Sequence, residues 1–149
     1  LSPKSQNKPM FPKDLSIDAL NDLGKGNLSS HLGIEFIEIG KDYLVAKMPV
    51  DHRTIQPFGL LHGGASVALA ETLGSVAATL TLDNSKQAAV GLDINANHIR
   101  SARDGFVYGK TTPIHVGKRT HVWEIRIENE EKQLISICRI TMAIIDKKA

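Results

Sequence analysis

The chain has a single cysteine, Cys138, among 149 residues. No internal disulfide can form, and neither a Cys-rich zinc site nor an iron–sulfur cluster can be assembled from this chain alone. Aromatic residues are scarce, at 5%, too few for the stacking platforms of a single-strand nucleic-acid binder. No apolar run reaches the ~18 residues that span a bilayer, and no signal-peptide pattern opens the chain. A cytoplasmic location, with no membrane partner, is the expectation. Net charge is small too, at +2. Lys4, Lys8 and Lys13 lie in the first thirteen residues, which hold no acid, so the remainder carries a slight negative excess. A basic lead-in is not a basic binding face, which argues against a nucleic-acid partner. There is no P-loop, no GxGxxG and no GxSxG elbow, so nucleotide hydrolysis, hydride transfer and serine hydrolysis lose support. His62, His98, His115 and His121 show no tight metal-ligand spacing, and no metal is expected.

What is present is an ordinary globular mix, 42% hydrophobic and 23% charged, with room for one domain. Residues 1–13, with three prolines, read as a disordered lead-in; residues 14–149 read as the folded domain. The chain opens on Leu1, which reads as a trimmed or tagged start. Ser16 caps a short helix carrying Ile17, Leu20 and Leu23 on one stripe, stopped by Gly24 and Gly26. The period then becomes two, through Ile34 and Phe36 and again through Leu44, Ala46 and Met48, with a turn at Gly40-Lys41-Asp42: a hairpin. Asp51 to Leu61 is an ordered loop. Gly63 to Leu80 is an apolar helix. Four β-like runs follow, Ala88–Arg100, Gly105–Pro113, Thr120–Glu128 and Gln133–Ile145. The links between them are short, including His115–Arg119, and predict antiparallel neighbours. A helix apolar nearly all round must be wrapped. The class is α+β, a long central helix inside a curved antiparallel sheet.

Glu71 is the one charged residue between Arg53 and Asp83. A carboxylate among apolar neighbours pairs, neutralises or does chemistry, unless it lies on a solvated stripe. His62-Gly63-Gly64 opens the same helix, where unpaired N–H groups and a partial positive charge suit a developing oxyanion; a plain glycine-rich turn is the alternative. Gly63 and Glu71 are eight residues apart, ~12 Å along a helix. One reacting carbonyl needs its activating groups within about 3 Å. If both act on it, Glu71 comes from a second copy, and the chain is a homodimer with shared sites. Ser75, one turn past Glu71, could orient a water or permit close packing. Gln56 could hold a water or brace its loop. His98 and Arg100, and the turn His115-Val116-Gly117-Lys118-Arg119, could grip a phosphorylated ligand such as coenzyme A or be ordinary basic turns.

Gln56-Pro57-Phe58-Gly59-Leu60-Leu61-His62-Gly63-Gly64, followed by Ala70-Glu71 and Gly74-Ser75, resembles the hotdog-fold acyl-CoA thioesterases. The nearest branch holds the 1,4-dihydroxy-2-naphthoyl-CoA thioesterases and the proofreading thioesterase of enterobactin synthesis. Gly91–Arg103 and Val116–Ile127 extend the likeness, which covers residues 16–145. The resemblance implies the hotdog fold, dimers that pair into homotetramers, and hydrolysis of a coenzyme A thioester with no metal and no cofactor. It implies Glu71 as nucleophile or general base and the Gly63 amide as the group polarising the carbonyl. His62 and Gln56 would position thioester and water, with Ser75 in support. Gly91, His98, Ile99, Arg100, Ser101, His115, Val116, Gly117, Lys118, Arg119 and Thr120 would contact coenzyme A. The rival expectations are a hotdog hydratase or dehydratase, disfavoured by the lack of an HFPG-type sequence, and a non-catalytic acyl-CoA binder.

Overall fold

The computed structural model describes residues 9–148. In chain order these form α1 (Ile17–Leu23), α2 (Leu28–His31), β1 (Glu35–Ile39), β2 (Leu44–Pro49), α3 (Gly63–Leu80), β3 (Gln87–His98), β4 (Phe106–Val116), β5 (Thr120–Asn129) and β6 (Leu134–Asp146). The six strands make one antiparallel sheet in the order β1-β2-β4-β5-β6-β3, with α3 packed on its concave side. This is the α+β class expected from the single apolar helix and the period-two runs, and the hotdog architecture that the resemblance implies.

Local chemistry explains the boundaries. The Ser16 hydroxyl accepts from the Ala19 amide and caps α1, as its position before the apolar stripe predicts. Asn27 does the same for α2, a single turn that the sequence pattern does not reveal. Helix α3 sits close to the sheet because small residues line the contact. A Cβ on Gly109 would fall 2.6 Å from Leu73, and one on Gly74 would fall 2.5 Å from Ile140. Leu69, Ala70, Leu73, Ala77 and Ala78 are fully buried against Trp123, Ile125, Ile127 and Ile140. Each large aliphatic side chain so buried contributes roughly 1.5–3 kcal/mol.

Four expectations need correction. Strand β3 does not lie beside β4. It pairs with β6 at the sheet edge, and residues 99–105 cross back beneath the N-terminus of α3. Ile99 and Arg100 donate to the Ile135 carbonyl, Ala102 accepts from Leu61, and Gly105 accepts from Val50. A seven-residue link is long enough to pass over intervening strands, so link length did not specify neighbours here. Second, β4 runs on to Val116 instead of ending at Pro113. Pro113 falls at a register shift and beyond the stretch paired with β2, where its missing N–H costs nothing. Third, β3 stops at His98, so Arg100 lies outside the strand. Fourth, packed structure begins before residue 14. Phe11 is 5% exposed and belongs to the core, with Met10 against it. Residues 1–8 of the expected lead-in lie outside the described residues.

Nor is α3 wrapped all round. Gly64 and Glu71 are exposed, and Val67, Ala68, Thr72, Ser75 and Thr79 are half-buried. Beside this open face runs β3, whose outer edge has no strand partner among the described residues. Val90 and Leu92 stand 44% and 63% exposed there.

One polar core atom lacks a partner. Thr111 in β4 is fully buried, and its Oγ1 makes no hydrogen bond. An orphaned buried hydroxyl is a liability that a similarly shaped apolar group removes. Thr111→Val is expected to raise unfolding stability by about 1 kcal/mol in urea titrations. A loss of similar size would show that the hydroxyl is satisfied in solution.

Candidate active site

The loop 51–61 is ordered by its own hydrogen bonds. The Thr54 hydroxyl, almost fully buried, donates to the Pro49 carbonyl at 2.7 Å, and the Thr54 carbonyl accepts from His62 N–H at 2.8 Å. The turn Gln56–Leu60 closes through Gln56 N–H to Leu60 and Gly59 N–H to Gln56, with Gly59 at φ +80°. The Gln56 side-chain oxygen accepts from Phe58 N–H at 2.5 Å. Gln56 thus braces its loop through the oxygen, which leaves its amide NH2 as a donor. Phe58, at the tip of the turn, is 84% exposed.

This loop delivers the chain to the N-terminus of α3. His62 is the N-cap, and its Nδ1 accepts from Gly64 N–H at 2.8 Å. That bond consumes one of the helix's unpaired donors and puts the ring proton on Nε2. Gly63 N–H has no acceptor among the described residues. Of the two glycine amides, Gly63 is therefore the one free to donate, at the positive end of an eighteen-residue helix.

Gly63 opens into a cavity of about 310 Å³ lined by Gln56, Leu60, Leu61, Ser66, His98 and Arg100, with Ile99, Ser101 and Ile135 completing it. The structure thus brings together Gln56, Gly63 and the segment His98–Ser101. The His98 ring lies over Gly63: a Cβ there would fall 2.8 Å from His98 Nε2. A glycine is required by this close approach. A larger depression of about 520 Å³ on the outer sheet face is lined by opposed charges, Lys110 and Arg126 with Glu38 and Glu128, and by no residue of a helix.

Glu71 stands apart. It is exposed on the single chain, the solvated-stripe alternative to a buried carboxylate. Those neighbours point into the core, while Glu71 occupies the open face of α3. Its Oε1 lies against β3, 3.3 Å from where a Cβ on Gly91 would sit. Gly91 therefore leaves room for the carboxylate. Eight helical residues, ~12 Å, separate Glu71 from Gly63. Ser75 donates weakly to Met142 Sδ at 3.9 Å, and no bond links it to Glu71.

The cationic turn is elsewhere. Gly117, Lys118 and Arg119 line a separate cavity of about 260 Å³ with Leu82 and Asp146, and none of its lining is shared with the Gly63 cavity. Arg119 pairs with Asp146 at 3.6 Å. His115 and Val116 belong to β4 and Thr120 to β5, so the turn itself is three residues. Behind it lies His121, 1% exposed, whose Nδ1 accepts from the Trp123 indole at 3.3 Å. Burial, with His115 nearby, pushes the His121 imidazole below its ordinary range, partly offset by a hydrogen bond to the Gly117 backbone.

Two cavity-side residues escaped the sequence reading. Ser66, buried at the base of the Gly63 cavity, lies one helical turn from Gly63, a spacing that could have flagged it. Ser136 contacts His98 only because β6 pairs with β3, which no local signal announces. No cluster of His, Cys, Asp and Glu suited to a metal occurs among the described residues, and none of their helices is long and apolar enough to cross a membrane.

Comparison with known proteins bears on this arrangement. Residues 58–136 match the family described as the Thioesterase superfamily. The chain is 52% identical over 136 residues to a 1,4-dihydroxy-2-naphthoyl-CoA hydrolase of Escherichia coli, covering 91% of this chain and 99% of that one. It is 46% identical over 135 residues to the proofreading thioesterase EntH of Cronobacter turicensis, covering 91% and 98%. A crystal structure of a thioesterase from Haemophilus influenzae superposes with a TM-score of 0.88 at 49% identity, covering 92% and 95%.

The neutral His121 has a consequence for stability. The folded state holds it unprotonated below the unfolded value of 6.5, so the unfolded chain binds the extra proton first. Its contribution is fully present above that pH and is lost as pH falls through it. Urea titrations between about pH 7.5 and 5.5 are expected to show stability declining with acid, and His121→Gln is expected to reduce that slope. An unchanged slope in the variant would remove His121 from the explanation.

Proposed function

The chain belongs to the thioesterase superfamily, and from that premise we propose that it hydrolyses acyl-CoA thioesters, aromatic ones foremost, to the free acid and coenzyme A. The observation that carries the reading is the free Gly63 amide at the mouth of a cavity, with Glu71 on the open face of the same helix. The aromatic preference draws on the likeness to the 1,4-dihydroxy-2-naphthoyl-CoA hydrolase; benzoyl-type thioesters share that chemistry.

In this reading the thioester carbonyl accepts from Gly63 N–H, and the helix N-terminus stabilises the oxyanion as it forms. The Gln56 NH2 and His62 Nε2–H are further donors for carbonyl or water. The Glu71 carboxylate takes a proton from water as the water oxygen adds to the carbonyl carbon, or adds to that carbon itself. The C–S bond then breaks: on the first route the departing thiolate takes the proton held by Glu71, and on the second it takes one from water while the acyl–Glu71 anhydride is hydrolysed by a further water, freeing the acid and restoring the carboxylate. Either route needs the carboxylate within hydrogen-bond reach of the same carbonyl, which one straight helix forbids. The second copy supplies it. Two chains joined through the open edge of β3 would cover Val90 and Leu92 and lay the two α3 faces side by side. Glu71 of one chain would then approach Gly63 of the other, out of bulk water. The cationic turn Gly117–Arg119, remote from Gly63 within a chain, would reach coenzyme A across the same seam, as would Gly91, while Ser75 would support the reaction from the partner side. Further pairing into a tetramer, a cytoplasmic setting and independence of metal or cofactor belong to the same proposal.

A thiol-release assay over aromatic and aliphatic acyl-CoAs tests it. The expected result is turnover highest on aromatic thioesters, with Glu71→Ala lowering kcat by about 10²-fold or more. Near-normal turnover in Glu71→Ala, or binding without thiol release by the unaltered protein, would refute the role. The shared site has its own test. Glu71→Ala and Gln56→Ala proteins, each inactive, are expected to regain activity when their subunits exchange; verified exchange with no recovery would place each site within one chain.

A further inference from the structure

We infer that Ser136 is a positioning residue of the thioester site, acting through His98; the inference rests on the reading of the Gly63 cavity given above. Ser136 lies in β6 directly across from His98 at the end of β3, and it is fully buried. Its Oγ is 3.2 Å from the Asn97 carbonyl oxygen, 3.4 Å from His98 Nδ1 and 3.5 Å from Cys138 Sγ. These three neighbours decide where the protons go. A carbonyl only accepts, so the one hydroxyl proton is donated to Asn97. The hydroxyl oxygen can then only accept from the other two. Cys138 supplies its S–H, since burial pushes its thiol up and keeps it protonated at neutral pH. His98 must supply Nδ1–H. A neutral imidazole carries one N–H, so Nε2 is left bare.

Nε2 is the ring atom that stands over Gly63. Gly63, Gln56 and Arg100 line the same cavity and carry donor groups, the Gly63 amide, the free Gln56 NH2 and the Arg100 guanidinium, and the thioester carbonyl needs such donors. His98 adds the complementary function, an acceptor beside the carbonyl site. The donor that every acyl-CoA carries nearest its sulfur is the amide N–H two carbons along the pantetheine arm. Ser136 holds His98 in the tautomer that can receive that N–H; with Nε2–H instead, two donors would face each other. The same contact holds the ring in place at the end of β3.

The experiment is nitrogen-15 NMR of histidine-labelled protein at a pH where the His98 ring is neutral, with kinetics on benzoyl-CoA alongside. The expected result is the Nδ1–H tautomer in the unaltered protein. In Ser136→Ala the ring is expected to shift toward Nε2–H, with KM rising about fivefold and kcat changing much less. Ser136→Thr, which keeps the hydroxyl, is expected to restore both tautomer and KM. An Nε2–H ring in the unaltered protein overturns the inference even if Ser136→Ala fails to fold. So does a changed tautomer with an unmoved KM. Should the unaltered protein show Nδ1–H yet release no thiol from any acyl-CoA, the thioesterase reading itself fails, and the tautomer assignment stands apart from it.

Discussion

A rigid helix separates the two groups on which the chemistry depends. Gly63 offers its amide at the first turn of α3, and Glu71 projects two turns later, ~12 Å along the axis. No loop motion within one chain can close that gap, because both groups belong to the same hydrogen-bonded rod. A carbonyl that needs both must meet them from two rods lying side by side and reversed. Much else in the structure is consistent with that requirement. The side of α3 carrying Glu71 is left uncovered by its own sheet, and the strand next to it, β3, ends the sheet with an open edge and exposed apolar side chains. Such an edge is ordinarily hidden or blunted.

Within the chain, strand β3 meets the helix at its N-terminus and at its middle, each time across a glycine. Gly91 makes space for the Glu71 carboxylate, and Gly63 makes space for the His98 ring. The N-cap adds a selection of its own. By accepting the Gly64 amide, His62 leaves Gly63 as the available donor. The loop does likewise with Gln56, whose oxygen is taken by Phe58 N–H so that its NH2 is the free end. The cavity is thus provided with donors before any ligand arrives, which is what stabilising a developing negative charge requires.

Much of this was legible in the residues, and the exceptions share a cause. The glycine pair after His62 and the apolar run to Leu80 mark α3 because capping and helix continuity are local properties. The hairpin Glu35–Pro49 is local as well. Contiguity also placed Gln56, His62 and Gly63 together. Sheet order was not legible: β3 crosses to pair with β6, which follows β4 and β5 in the chain, and the seven residues that follow β3 carry no sign of it. The contacts of His98 with Gly63 and Ser136 follow from that crossing and were hidden with it. Pro113 read as a strand end because its pairing loss is local, whereas the bulge that accommodates it depends on β5. The exposure of Glu71 was left open for a different reason. Apolar neighbours in sequence say which side of a helix meets its own core, and Glu71 lies on the other side.

The central claim is that one carbonyl is held by groups from two chains. A crystal structure with a non-hydrolysable acyl-CoA analogue addresses it most directly. The account predicts the analogue's carbonyl oxygen within hydrogen-bond distance of Gly63 N of one chain, with the Glu71 carboxylate of the other chain against the carbonyl carbon. An analogue seated wholly within one chain, with every Glu71 in open solvent, would contradict it.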